Sequence, residues 1–357
     1  MENKNLKVEL FRIIAILLVI LQHSLPAFLS KVNNTYLALD TLSSMSVCIF
    51  FVMSGFFLYN DKPWIKKFRN YLFNIFIPML IVAILALIFE DFIMKQKSFV
   101  DCILTNDYIK IIKKFVRGLI NWSCIPWGFV LGHMWYVFSY GFIILFYPIA
   151  NYMINKLDKK ILYIISICYF LYMAIVLNIL KLAENRYHIF DVMFISIYGY
   201  ILYNDIFKFL KNKIKNLKNK IILISILLTI WCILFYIICH YQKQIYTISS
   251  ARIFITYNSA LMILLVIITL SILYLLLINV DIDKKILIFS EKTFLIYLLH
   301  DDIIVIAMQY GIYNLFAKNM TNSITAVFYT ILFVISIYIF TWIISVLITK
   351  IALAKKQ

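Results

Sequence analysis

Ten apolar runs, each about 20 residues long, follow one another along this chain of 357 residues. As an α-helix, such a run spans about 30 Å, the thickness of a bilayer's hydrocarbon core. With edges loose by a few residues, they cover 8–28, 37–59, 68–94, 133–154, 161–180, 188–203, 221–240, 257–279, 286–308 and 323–349. A membrane barrel would need short alternating segments instead. The expected fold class is therefore all-α, a polytopic helical membrane bundle of about ten transmembrane helices. It forms one integral-membrane domain over 1–357, with no soluble domain appended.

Composition agrees. Apolar residues make up 64% of the chain and charged residues only 14%, against about 45–50% and 25% in an ordinary soluble domain. A soluble globular enzyme is excluded, because a fold of this size cannot hide so much apolar surface. Seven Gly and five Pro exclude collagen-like and low-complexity chains. The first run is not read as a cleavable signal, since it lacks a small-residue cleavage site and a second run follows at once.

The net charge is +17, from 34 Lys and Arg against 17 Asp and Glu. In a membrane protein such an excess marks cytoplasmic loops and attraction to anionic lipid, so lipid rather than nucleic acid is the expected partner. With the N-terminus inside, 22 of the 34 basic residues fall on the cytoplasmic side and 12 outside. Six of those 12 lie in the long loop 95–132, where charge weighs less in the rule. Both termini are then cytoplasmic, and the basic linker 205–220 is the clearest inside marker. The loop 95–132 carries Trp122 and Trp127 and an expected amphipathic helix near 108–119. It reads either as an interfacial lid or as a wall of an outward-facing site. Cys48, Cys168, Cys232 and Cys239 sit in apolar runs and act as small hydrophobes. Cys102 and Cys124 share the long loop and can pair if it faces an oxidising compartment. No spacing resembles a metal site, and no metal is expected.

Charges inside a span are costly and mark function. The first run carries Glu9, Arg12 and His23. Eleven residues separate Arg12 from His23, which is three turns plus roughly 20°, so both lie on one helix face about 16 Å apart. Glu9, three residues before Arg12, can pair with it. Read singly, Arg12 snorkels to the inner interface and His23 makes a buried hydrogen bond. Read together, an arginine suited to phosphate and a histidine suited to proton transfer point to one long ligand along the helix, charged at its inner end. Lys66, Lys67 and Arg69 add positive charge at the same mouth, or simply hold that loop inside. Trp135 and Tyr136 open the fourth run as an interfacial aromatic set. Tyr297, His300, Asp301 and Asp302 place two carboxylates beside a histidine near membrane depth, with a binding role expected.

Four segments in order resemble the acyltransferase-3 family of membrane acyltransferases. They are Glu9-Leu10-Phe11-Arg12 through His23, Phe51-Val52-Met53-Ser54-Gly55-Phe56, Gly132-His133-Met134-Trp135-Tyr136 with Tyr147-Pro148, and Tyr297-Leu298-Leu299-His300. The resemblance spans the whole chain. Relatives often carry several arginines between the second and third spans, whereas here Arg69 stands with Lys66 and Lys67, and Asn74 lies four residues before Pro78. The resemblance implies a cytoplasmic acyl-CoA donor, acetyl-CoA above all, and an extracytoplasmic hydroxyl acceptor, usually a glycan, in a bacterial plasma membrane. His23 would act as base or acyl relay, with Glu9 orienting Arg12. Arg12, Arg69, Lys66 and Lys67 would hold donor phosphates. Ser54, Trp135, Tyr136, Tyr297 and His300 would line the substrate cavity. A transporter or flippase is the competing reading, as intramembrane charges fit it too. A non-catalytic partner in an envelope-synthesis complex is the third, and it would need neither Arg12 nor His23.

Overall fold

The computed structural model describes residues 5–29, 33–59, 63–83, 85, 134–180, 189–214, 216–248, 252–318 and 322–354. The long loop 95–132, with its Trp residues, amphipathic segment, Cys102 and Cys124, lies outside them. Among the described residues every regular element is helical. The helices are α1 (Leu6–Phe28), α2 (Asn34–Leu58), α3 (Trp64–Tyr71), α4 (Trp135–Leu145), α5 (Tyr147–Lys156), α6 (Lys159–Met173), α7 (Ile189–Ile201), α8 (Phe207–Lys213), α9 (Leu217–Ile248), α10 (Ala260–Leu277), α11 (Ile286–Ser290), α12 (Thr293–Gln309), α13 (Asn314–Ala317) and α14 (Ser323–Ala354).

Among the described residues, six helices are long and apolar enough to cross a membrane: Leu6–Pro26, Asn34–Leu58, Lys159–Val176, Leu217–Ile248, Ala260–Leu277 and Ser323–Lys350. The pair α4 and α5, bent by 52°, makes a seventh if it is one span. The remaining apolar runs are helical where described but interrupted or short. The third passes through a π-helical turn at Leu72–Phe76 and leaves the described residues after 85. The sixth becomes α7 and a π-helical turn at Leu202–Ile206. The ninth divides into α11 and the 17-residue α12.

Local sequence explains the helix starts. Asn5, Asn33 and Asp158 each accept a hydrogen bond from the backbone N–H two residues on, satisfying donors that a first turn leaves orphaned. Pro26 sits inside the last turn of α1 and does not stop it; the helix ends two residues later. Polar side chains within spans bond back to the preceding turn, as Ser24 does to the Ile20 carbonyl and Ser345 to that of Thr341. The outer faces of α9 and α14 leave Ile221, Ile226, Ile233, Phe328 and Ile339 exposed, which is the surface that lipid covers in a bilayer.

The chain divides into two compact units. The first is Met1–Tyr59, Tyr152–Asn185 and Phe194–Gln357. Within it α1 is central and packs against α2, α11, α12 and α14, while α10 packs against α2 and α9. The second unit is Asn60–Asn151 and Arg186–Met193. There α3 lies against α4, fastened by Trp64 Nε1 donating to the Ile144 carbonyl at 2.7 Å and Tyr71 Oη to that of Val137 at 3.1 Å.

One glycine pair sets a helix crossing in the first unit. A Cβ on Gly55 would stand 1.8 Å from the Ser196 carbonyl oxygen, and one on Gly199 would stand 1.8 Å from that of Val52. Small residues let α2 and α7 touch backbone to backbone, the usual basis of tight helix pairs in membranes. Gly55→Ala must therefore force the two helices apart. We expect it to destabilise the protein by about 1–3 kcal/mol, seen as a lower thermal midpoint in detergent. An unchanged midpoint would contradict the close crossing.

Candidate active site

The unbroken helix α1 presents the charged stripe. Glu9 is buried, and both its carboxylate oxygens accept from Arg12 Nη1, at 3.2 and 3.3 Å. The guanidinium side chain stays 42% exposed. A buried carboxylate one turn away thus fixes one edge of the guanidinium while the rest faces outward, an arrangement that suits bidentate binding of a phosphate.

Eleven residues further along α1, His23 meets α12. Its Nδ1 lies 3.1 Å from Asp301 Oδ1. A carboxylate can only accept here, so Nδ1 carries the proton and the lone pair of the neutral ring is on Nε2. Asp301 thereby fixes both tautomer and ring orientation, as a carboxylate does for a catalytic histidine in triad-type sites. The His23 side chain is 32% exposed and that of Asp301 18%, so both can be reached.

His300, one residue before Asp301, is fully buried and touches His23 edge to face, with ring centroids 5.0 Å apart. Its Nδ1 lies 2.7 Å from the Tyr297 carbonyl oxygen and donates to it, and the Tyr297 ring lies 5.9 Å from the His300 ring. The successive residues His300 and Asp301 point about 100° apart on α12. One forms a wall behind His23 and the other orients it.

The first unit therefore brings together His23, His300 and Tyr297, and separately Glu9 with Arg12. It also contains Ser54, whose hydroxyl donates to the Phe50 carbonyl within α2 at 2.8 Å. The other candidate site residues, Lys66, Lys67, Arg69, Trp135 and Tyr136, lie in the second unit. Lys66 and Arg69 are exposed on α3, whereas Lys67 is buried, its ammonium 4.5 Å from the centre of the Tyr147 ring. Trp135 and Tyr136 are half-buried at the start of α4, and Tyr136 stacks on Tyr140 at 6.3 Å. A Cβ on Gly141 would come within 2.4 Å of Tyr71 Oη, so that glycine makes room for the Tyr71 bond to α4.

Sequence reading missed a second polar cluster in the first unit. Asp40, buried in α2, accepts from Arg252 Nη2 at 2.7 Å and from Tyr246 Oη at 2.8 Å. Arg252 Nη2 also donates to Ser44 Oγ at 2.7 Å. A carboxylate seven residues into an apolar helix was the available signal, since it requires a partner. Among the described residues no group of three or more His, Cys, Asp or Glu side chains is placed to hold a metal ion. Cys48, Cys168, Cys232 and Cys239 are free thiols.

The model of the acyltransferase-3 family, described as an acyltransferase domain, matches residues 5–349. The chain belongs to this family. The match covers α1 through most of α14, and so both units and every site residue above. No curated protein and no solved structure matches the chain. Its apolar helices and its membership in the acyltransferase-3 family make it a multi-pass membrane protein of acyltransferase type. Acyl transfer is thus the chemistry against which the His23 centre is judged.

Proposed function

We propose that this chain is a membrane-embedded O-acyltransferase. It moves an acyl group, acetyl in the simplest case, from cytoplasmic acyl-CoA to a hydroxyl of an extracytoplasmic acceptor, an envelope glycan. In this reading about ten helices span a bacterial plasma membrane, with both termini cytoplasmic. The observation that carries it is the His23–Asp301 pair on the same helix face as Arg12, about 16 Å along α1.

CoA is a long thioester with phosphates at one end, and α1 offers chemistry for both ends. Arg12 pairs with Glu9 through Nη1 alone, so Nη2 and Nε can donate to phosphate oxygens. In this reading Lys66, Lys67 and Arg69 supply further positive charge for the donor phosphates. Ser54, Tyr297 and His300 are then substrate-site residues of the first unit, His300 as the wall behind His23, and Trp135 and Tyr136 are substrate-binding residues of the second. At the far end His23 Nε2 takes the proton of the acceptor hydroxyl as its oxygen attacks the thioester carbonyl carbon. The C–O bond forms, the C–S bond breaks, and the imidazolium returns the proton to the departing thiolate. Asp301 stabilises the imidazolium between these events. The products are an ester and free CoA.

Two measurements test this. Mass spectrometry of envelope glycans should find O-acyl groups in cells with the gene and lose them on its deletion; identical glycans would refute the acceptor assignment. For the donor, calorimetry on purified protein should show CoA affinity falling about tenfold or more in Arg12→Ala, as expected for a lost charge-assisted contact. Arg12→Lys should recover little, because an ammonium is not bidentate. Unchanged affinity in Arg12→Ala would remove Arg12 from the donor site.

A further inference from the structure

Between α9 and α10 the backbone is not helical over Arg252–Ser259. Even so, Phe254, Ile255, Tyr257, Asn258 and Ser259 are all buried. At the start of this segment Arg252 bonds to Asp40 of α2. Five residues later the Tyr257 ring meets Phe51, centroids 5.4 Å apart. Asp40 and Phe51 are eleven residues apart on α2, about 16 Å. The segment therefore lies alongside α2, bent over 253–256 and turning at 257–258, and re-enters the bundle from the end where α9 stops. Its backbone is held partly by side chains: Phe254 N–H donates to Oε1 of the fully buried Gln242 at 3.0 Å. In a membrane, irregular backbone at depth is tolerated where it is buried in protein or lines a polar cavity, and it is a common way to build a binding site.

Arg252 stands at the mouth of this segment and reaches α1. With the Gln22 amide turned so that its oxygen faces the guanidinium, that oxygen accepts from Nη1 and Nη2 at 2.8 Å. Gln22 is the residue immediately before His23. The guanidinium is thus anchored on three sides, by Gln22, Ser44 and Asp40, and Gln22 is the chain neighbour of the proposed catalytic base, about 100° round α1 from it. Its side chain remains 37% exposed. None of these bonds uses Nε, and Nη1 has a second N–H. Asp40 already balances the charge.

We propose that Arg252 is an acceptor-binding residue that presents N–H donors to the oxygens of an uncharged polyhydroxyl acceptor beside His23. Its remaining donors, on Nε and Nη1, lie on opposite edges of the guanidinium and cannot grip one anion as a fork, unlike the Nε and Nη2 left on Arg12, so single hydroxyl oxygens of a neutral sugar are preferred over a carboxylate. This inference rests on the acyl-transfer reading above.

The test uses the purified full-length chain in detergent with acetyl-CoA and, as probes, methyl β-D-glucopyranoside or methyl β-D-glucuronide, with acetylated glycoside read by mass spectrometry. Wild type should acetylate the glucoside with the higher kcat/KM. Arg252→Ala should raise the glucoside KM by about tenfold or more, with kcat changed by less than about threefold. Arg252→Lys should recover part of that loss through its single charged donor. Asp40→Asn unbalances the guanidinium and should shift preference toward the glucuronide. The inference is overturned if Arg252→Ala lowers kcat at unchanged KM, which would mean that it acts only through His23. It is also overturned if Arg252→Ala behaves as wild type, if wild type prefers the glucuronide, or if wild type consumes acetyl-CoA yet acetylates neither glycoside. No consumption of acetyl-CoA by folded wild type strikes the acyl-transfer reading itself, and this inference falls with it.

Discussion

His23→Ala is expected to lower acyl transfer by at least about 100-fold, the smaller end of what a positioned general base contributes. The protein should still insert and purify, because the side chain is about a third exposed. Asp301, left without the imidazole, keeps some contact with its surroundings at 18% exposure. His300 cannot take over, since it is fully buried and its Nδ1 is held by the Tyr297 carbonyl. Asp301→Asn is the companion variant. It preserves shape but loses control of the His23 tautomer, so activity should fall substantially and by less than in His23→Ala. Rates of label transfer from acetyl-CoA, normalised to purified protein, check both. A His23→Ala protein within a few-fold of wild type would remove the histidine from the mechanism.

A single Ala inserted between Leu17 and Leu18 should be almost as damaging as loss of the histidine. It turns the two halves of α1 relative to each other by about 100° and lengthens it by only about 1.5 Å. Span length and apolar character barely change, so membrane insertion should survive. What changes is register. Arg12 keeps Glu9, three residues away on the same half, while His23 turns off Asp301 and Gln22 turns off Arg252. Because α1 packs on several neighbours in its unit, some loss of stability will accompany the turn, and monodispersity in detergent must be checked. If one ligand is read from both ends of the helix face, transfer collapses. A well-folded insertion variant with near wild-type transfer would contradict the shared stripe and leave only an isolated catalytic histidine.

The stripe on α1 was legible because helix periodicity alone places residues 9, 12 and 23 on one side, and the helix proved continuous across all three. The pairing with Asp301 was half legible. Charged residues near His300 stood out against an apolar run, but nothing local says that α12 crosses α1 at His23. The Arg252–Asp40 pair spans 212 residues and starts from a non-helical segment with no periodicity to read, so it could come only from tertiary structure. The basic run on α3 was legible as charge but not as packing. Sequence treats Lys66, Lys67 and Arg69 alike, whereas packing buries Lys67 over an aromatic ring and leaves the other two exposed. The π-helical turns at Leu72–Phe76, Ala174–Ile179 and Leu202–Ile206 were equally invisible, since one inserted residue per turn barely alters an apolar pattern. Within the F-x-x-S-G-F segment Ser54 reads as cavity lining, while Ser54-Gly55 can either loosen a helix or allow close packing; Gly55 takes the second course and holds a helix crossing.

In this mechanism the membrane protein opens an acyl thioester at His23. The most direct test is chromatographic measurement of free CoA released from acetyl-CoA by the purified, full-length chain in lipid nanodiscs, beside His23→Ala prepared in the same way. Steady, protein-dependent release is expected from wild type, with water as the slow acceptor, and release at background from the variant. Monodisperse wild-type protein that leaves acetyl-CoA intact, or a His23→Ala protein that cleaves it at the wild-type rate, would contradict this mechanism.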